Sequence, residues 1–107
     1  MKIRIGLATF GILAVCTVAP AFAQGTGAAN YKAKCAMCHG ADGLGNTPAG
    51  KAMKVLSFNS PDLIKMSDAD MIAATKAGKA KMPAYASKLN DGQIKDVIAY
   101  IRTLQKK

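Results

Sequence analysis

The sequence predicts a small all-α domain of about four helices, and two observations lead to that prediction. Near the C-terminus, apolar residues recur at the spacing that places them on one face of an amphipathic helix: Ile94, Val97, Ile98, Ile101 and Leu104. No segment alternates apolar and polar residues over the length of a β-strand. Because 107 residues suit one domain of ordinary size, a multidomain enzyme is not expected.

The first 23 residues have the organisation of a secretory signal. A short basic start precedes 19 uncharged residues, and Ala21-Phe22-Ala23 supplies an Ala-x-Ala cleavage pattern. We therefore expect residues 1–23 to be cleaved and residues 24–107 to form a periplasmic domain without stable membrane insertion. The alternatives are an uncleaved anchor, since a membrane span needs about 20 apolar residues, and a lipid on Cys16, which Val15 fits poorly.

The predicted mature domain has little material for a hydrophobic core. Removing 23 of the 107 residues leaves 84, in which alanine is the commonest apolar residue and the aromatic residues are Tyr31, Phe58, Tyr85 and Tyr100. Domains of this size commonly need a disulfide, a metal or another staple, because the buried apolar area barely offsets the conformational entropy lost on folding. We therefore expect a bound group to complete the interior.

The first predicted helix ends in a cysteine motif. From Gly27 to Lys34 the chain is rich in helix formers and leads directly into Cys35-Ala36-Met37-Cys38-His39. This run is the C-x-x-C-H attachment motif of c-type haem. The two thiols would form thioethers with the haem vinyl groups, and His39 would be the proximal iron ligand. His39 is also the only histidine in the chain.

Three other roles for the cysteine pair fit less well. A structural zinc site needs four ligands, and no second Cys or His follows the motif. A thioredoxin-like pair belongs in a βαβ context, which the helical pattern does not supply. A disulfide between cysteines three residues apart on a helical turn has poor geometry. Haem attachment is the interpretation that we carry forward.

Downstream of the motif, turn residues and caps predict a loop and two short helices. Residues 40–48 are dense in Gly, Asn and Pro and predict a loop. Ser60-Pro61 resembles an N-cap followed by proline at the first helical position, which predicts a short helix through Met66. Acidic residues in a first turn and Gly78 as a stop predict a further helix over residues 68–77.

The last helix has the clearest start. Asn90 and Gln93 have the spacing of a capping box, and the apolar face described above follows them. The polar residues of this helix fall largely on the opposite face: Lys95, Asp96, Arg102 and Gln105.

Methionine is the candidate for the sixth iron ligand. Met37 lies inside the attachment turn, while Met66 and Met71 lie at a helix boundary and on a helix face, where methionine more often fills a core. Met82 lies in a loop that Pro83 stiffens, so we predict it as the distal ligand. Met53, on an irregular basic stretch, is the alternative.

These motifs resemble those of class I monohaem c-type cytochromes of the small bacterial kind, over residues 25–107. The resemblance rests on the attachment motif, on Lys81-Met82-Pro83-Ala84-Tyr85, and on Gly27, Tyr31 and Tyr100 in the terminal helices. It implies about four helices around one covalently bound haem c, with the N- and C-terminal helices crossing where Gly27 allows close approach and Tyr100 packs. It also implies that a proline carbonyl accepts the second ring N–H of the proximal histidine, and Pro48 matches that proline.

The resemblance implies an electron-transfer protein, with no catalytic residues. The formal net charge of +9 becomes +7 without Lys2 and Arg4. Because the domain is basic, we expect acidic redox partners: an electron donor and an electron acceptor, such as a reductase and an oxidase. We expect a monomer. Nucleic-acid binding is not expected, because the chain lacks an arginine cluster. The alternative function is a haem subunit or a small-ligand sensor or peroxidase-like site with an open sixth position. Six lysines are expected around the haem edge: Lys51, Lys54, Lys76, Lys79, Lys81 and Lys88.

Overall fold

The structure, a computed structural model, describes Gly6, residues 11–15 and residues 22–105. In this part of the chain it is helical and holds no β-strand, which confirms the all-α prediction. Most of the predicted signal segment lies outside the described residues. None of the described helices has both the length and the hydropathy of a membrane span. The helices are α1 (Phe22–Lys34), α2 (Ala36–His39), α3 (Pro48–Ala52), α4 (Pro61–Lys65), α5 (Asp68–Ala77) and α6 (Asp91–Leu104).

The first and last helices cross in van der Waals contact, as the resemblance implied. Gly27 is buried at the crossing, and a Cβ on it would lie 2.3 Å from the Asp96 carbonyl oxygen and 3.4 Å from Tyr100 Cβ. Only a residue without a side chain lets the two backbones approach so closely. The ring of Tyr100 packs against that of Tyr31, with ring centroids 5.2 Å apart. The expected roles of Gly27 and Tyr100 are therefore confirmed.

Helix α6 supplies four of the nine hydrophobic residues that are buried in the described part of the chain. Its start is the predicted capping box: the Asn90 side chain accepts from the Gln93 backbone N–H at 2.8 Å, and the Gln93 side chain accepts from the Asn90 N–H at 2.9 Å. Four of the five predicted apolar residues are buried and Leu104 packs against them at the edge. The buried hydrophobic residues are Tyr31, Cys35, Phe58, Met71, Leu89, Ile94, Val97, Ile98 and Ile101.

The middle of the chain matches the predicted helices and adds one. Helix α5 spans the predicted residues, and Ser67 caps it by accepting from the Asp70 N–H at 3.1 Å. Helix α3 lies where part of the loop and the following irregular stretch were expected. Its signal is present in the sequence, because Thr47-Pro48 is an N-cap followed by proline, but the neighbouring turn residues concealed it.

Arg102, on the polar face of α6, joins this helix to the end of α4 and the start of α5. Its guanidinium donates to the Asp68 carboxylate at 2.8 Å and to the carbonyl oxygens of Leu63 and Met66. These carbonyls end α4, where the last backbone acceptors of a helix lack intrahelical donors. A guanidinium with several fixed donors satisfies them and holds the α4–α5 connection against α6.

Candidate functional site

The cysteine motif forms a single helical turn at the end of α1. The backbone N–H of Cys35 donates to the Tyr31 carbonyl at 2.8 Å, and the N–H groups of Cys38 and His39 donate to the Cys35 carbonyl at 3.2 and 3.0 Å. Both cysteines are free thiols, Cys35 buried and Cys38 half-buried. The two thiols are therefore presented by one turn and are not consumed in a disulfide.

Burial sets the protonation of the motif. It raises the pKa of the Cys35 thiol to about 11, with neighbouring Lys34 acting in the opposite direction. Burial also lowers the pKa of His39 below its usual value of 6.5. The imidazole is consequently neutral at pH 7, which is the form that binds a metal.

The C-terminal end of the turn is held by a network that the sequence analysis missed. The Thr47 hydroxyl donates to the Cys38 carbonyl at 2.9 Å and accepts from the Gly50 N–H at 2.9 Å, so the N-cap of α3 is joined to the motif. The Gly45 N–H donates to the His39 carbonyl at 2.8 Å. A Cβ on Gly50 would lie 2.3 Å from the Cys38 carbonyl oxygen, so glycine is needed for this approach.

The His39 ring is fixed on one face and keeps one nitrogen unpaired. It stacks on Phe58 with ring centroids 4.6 Å apart and planes 15° from parallel. Its Nδ1 is buried without a hydrogen-bond partner. Pro48 is the first residue of α3, and the bond expected from Nδ1 to its carbonyl oxygen is not formed in this structure. The role of Pro48 stays a prediction.

Met82 lies in a tight two-residue turn. The N–H and C=O groups of Lys79 and Met82 exchange hydrogen bonds of 3.2 and 2.9 Å, and Ala80 between them has a φ of +52°. Gly78 precedes the turn with a φ of +75°, and a Cβ there would lie 2.8 Å from the Met82 carbonyl oxygen and 2.9 Å from Ala84 N. The turn therefore folds back on Gly78, and Met82 is half-buried.

Tyr85 joins this turn to the cysteine motif. Its phenol donates to the carbonyl oxygen of Lys34, the residue before Cys35, at 2.9 Å. Burial raises the pKa of the Tyr85 phenol, and the nearby thiols of Cys35 and Cys38 raise it further. Met82 lies three residues before Tyr85 in the sequence.

The other methionines lie elsewhere. Met71 is 5% exposed within the core, Met66 packs at its edge, and Met53 ends α3 with 44% of its surface exposed. The burial of Met71 and the packing of Met66 agree with the core roles predicted for them.

Five of the six lysines expected around the haem edge are exposed. Lys76 is half-buried, and its ammonium lies 2.7 Å from the Asp91 carboxylate. Lys88 places its ammonium 5.2 Å from the centre of the Tyr85 ring. The free positive charge near the Met82 turn is therefore carried chiefly by Lys79 and Lys81, both exposed.

The donor groups fit a c-type haem. Two free thiols on one turn, a neutral imidazole and a thioether are the groups that hold this cofactor. A metal-bound histidine normally donates its other ring N–H to a neighbouring acceptor, and the buried Nδ1 of His39 has no such acceptor in this structure.

Comparisons with known proteins agree with this chemistry. The family model described as "Cytochrome C oxidase, cbb3-type, subunit III" matches residues 22–101. Cytochrome c6 of a Synechococcus strain is 35% identical over 85 residues, 77% of this chain and 72% of its own. Cytochrome c6 of Thermostichus vulcanus is 34% identical over 98 residues, 91% of this chain and 82% of its own.

Solved structures extend the likeness to the fold. The structure of the KustC0563 c-type cytochrome has a TM-score of 0.69 and 27% identity, covering 75% of this chain and 98% of its own. That of cytochrome c6 from the diatom Phaeodactylum tricornutum has a TM-score of 0.57 and 28% identity, covering 75% of this chain and 91% of its own.

Proposed function

This chain belongs to the c-type cytochromes, and from that premise we propose that it is a periplasmic carrier of single electrons with one covalently attached haem. Cys35 and Cys38 would hold the haem as thioethers, and His39 and Met82 would be the proximal and distal iron ligands. The observation that carries this assignment is the hydrogen bond from Tyr85 to Lys34, which joins the Met82 turn to the attachment turn. When bound, the haem iron supplies the Fe(II)/Fe(III) couple.

The chain's own contribution is to present four donor groups in fixed positions. One helical turn carries both thiols and the imidazole, and the Thr47 hydroxyl donates to the Cys38 carbonyl near its C-terminal end. Burial keeps His39 neutral, so its nitrogen lone pair is available to a metal at neutral pH. The Phe58 ring restricts how far the imidazole can rotate.

The Met82 turn would exclude other ligands from the sixth position. Its backbone is held by the paired Lys79 and Met82 groups and by the close contact with Gly78, so the thioether is presented from a rigid turn. A neutral thioether donates weakly and favours the reduced iron over the oxidised iron. A closed site of this kind suits electron transfer and not substrate chemistry, which supports a carrier that is not an enzyme.

The exposed lysines support docking to acidic partners. Lys79 and Lys81 belong to the turn that ends at Met82, so exposed positive charge lies next to the proposed distal ligand in the chain. Such a surface steers an acidic donor or acceptor by long-range attraction that salt weakens. We propose a monomer that meets its partners transiently.

Optical spectroscopy of the purified haem protein tests the proposed ligands. A haem that stays with the denatured chain reports thioether attachment, and a weak ferric band at the red end of the spectrum reports a methionine ligand. Met82→Ala should keep the covalent haem, lose the red band, bind carbon monoxide readily in the ferrous state and lower the reduction potential. The matched control is Met53→Ala, an exposed methionine, which should change none of these.

Two outcomes would overturn the assignment. Loss of the red band in Met53→Ala with an unchanged Met82→Ala spectrum would transfer the distal role to Met53. Rapid binding of carbon monoxide by the parent protein would show an open sixth position and support a ligand-binding haem protein instead.

A further inference from the structure

Helix α1 ends at Lys34, one residue before the haem-attachment motif, and the Lys34 carbonyl needs a hydrogen-bond donor from outside the helix. The last carbonyls of a helix have no intrahelical donor and must find another partner. For Lys34, the last residue of α1, that partner is the phenol of Tyr85, 51 residues further along the chain. The bond therefore joins the junction between α1 and Cys35 to a distant segment.

Tyr85 is itself firmly held in that segment. Its backbone N–H donates to the Thr75 carbonyl in α5 at 3.0 Å, and its carbonyl accepts from the N–H groups of Lys88 and Leu89 at 2.9 Å. The Lys88 ammonium lies over the ring, 5.2 Å from its centre. The bond from the phenol to Lys34 therefore links α5, through Tyr85, to the residue that precedes the attachment motif.

Met82 lies in the same segment as Tyr85. Only Pro83 and Ala84 separate it from Tyr85, and the ring of Pro83 fixes one backbone dihedral between them. The backbone of Met82 and Ala84 also passes close to Gly78, where an added Cβ would lie 2.8 Å from the Met82 carbonyl oxygen. The backbone that carries Met82 is therefore closely linked to Tyr85.

We propose that Tyr85 is a positioning residue whose hydrogen bond to Lys34 holds Met82 within reach of the haem iron. The proposal rests on the proposed function, because it assumes that Met82 is the distal ligand. Without the bond, the Met82 turn separates more easily from the attachment turn, and the sixth position opens more often to an external ligand. The phenol touches neither iron nor haem in this account.

Tyr85→Phe tests the proposal because it keeps the ring and removes the donor. The ferric haem protein is titrated with imidazole, which must displace Met82 in order to bind. A neutral hydrogen bond contributes enough to change such an equilibrium by between about two-fold and about ten-fold. We expect Tyr85→Phe to bind imidazole more tightly by that factor, and to lose the red ferric band at a lower temperature than the parent.

Two further variants separate positioning from a general loss of stability. Tyr100→Phe removes the hydroxyl of a tyrosine that packs at the helix crossing, and it should leave imidazole affinity unchanged. Met82→Ala should bind imidazole much more tightly than the parent, and adding Tyr85→Phe to it should have no further effect, since there is then no thioether to position.

Each result decides a different question. If Met82→Ala leaves imidazole affinity unchanged, the proposed distal ligand is wrong. If Met82→Ala tightens binding while Tyr85→Phe does not, the ligand stands and the positioning role is overturned. The positioning role is also overturned if Tyr85→Phe changes imidazole affinity equally in the parent and in Met82→Ala. Tyr85 would then affect imidazole binding without acting through Met82.

Discussion

Gly78→Ala should destabilise both the fold and the Met82 turn. Gly78 has φ +75° and ψ +165°, a region of backbone conformation that is essentially restricted to glycine. Placing alanine there costs about 1–3 kcal/mol in backbone strain. The added Cβ would also lie 2.8 Å from the Met82 carbonyl oxygen and 2.9 Å from Ala84 N, so the backbone on either side of Pro83 must move away.

Overpacking of this kind costs about 1–3 kcal/mol more, so we expect a total loss of about 2–6 kcal/mol in the free energy of unfolding. The free energy of unfolding of the haem protein is measured by denaturant titration, together with the red ferric band. The band should weaken in the variant, because the displaced backbone carries Met82.

Gly92→Ala is the matched control for this substitution. It lies in the first turn of α6, and the nearest atom to its added Cβ is Asn90 Oδ1 at 3.4 Å, an ordinary contact. Alanine is favoured over glycine in a helix by up to about 1 kcal/mol, so this variant should be slightly more stable than the parent. Equal stability of Gly78→Ala and the parent, with an intact red band, would refute the reasoning.

Three further changes test the supports of the site. Gly27→Ala places a Cβ 2.3 Å from the Asp96 carbonyl oxygen and should lower the free energy of unfolding by about 1–3 kcal/mol, measured with urea. Thr47→Val removes the hydrogen bond to the Cys38 carbonyl and the N-cap of α3. Denaturant titration should show a free energy of unfolding lower by about 1–2 kcal/mol, with unchanged covalent haem content. An unaltered denaturation midpoint would contradict the role of Thr47. Burial raises the pKa of the Tyr31 phenol, so this phenol loses its proton at a lower pH in the unfolded chain than in the folded chain. The free energy of unfolding should therefore fall as pH rises above about 10. In Tyr31→Phe that alkaline loss should shrink, and identical pH profiles of unfolding free energy would argue against it.

Local signals in the sequence predicted most of the helices. The capping box at Asn90, the acidic first turn of α5 and the glycine stop at Gly78 act within a few residues, so their effects can be predicted without the rest of the chain. Ser60 is a partial exception. It precedes α4 as predicted, but its hydroxyl makes no cap bond and is buried without a partner.

Fewer of the site's supports could be predicted. Thr47 had the local signal of a cap, but its bond to the Cys38 carbonyl depends on how the loop returns to the motif. The stacking of Phe58 on His39 joins residues 19 positions apart in the sequence, with no periodic pattern between them. Helical periodicity placed Arg102 on the polar face of α6, but it cannot show which carbonyls another helix brings to that face.

The sequence by itself determined the all-α class, the attachment motif and the candidate ligands, because caps, helical periodicity and the C-x-x-C-H spacing are written within short segments. Only the tertiary structure decided that Met82 and Met53 occupy different surroundings, and that the Met82 turn is joined to the cysteine turn. The physical reason is that the bond from Tyr85 to Lys34 forms between segments 51 residues apart. It exists only after α1 and α6 have crossed at Gly27 and α5 has packed against α6, and no local pattern encodes that arrangement.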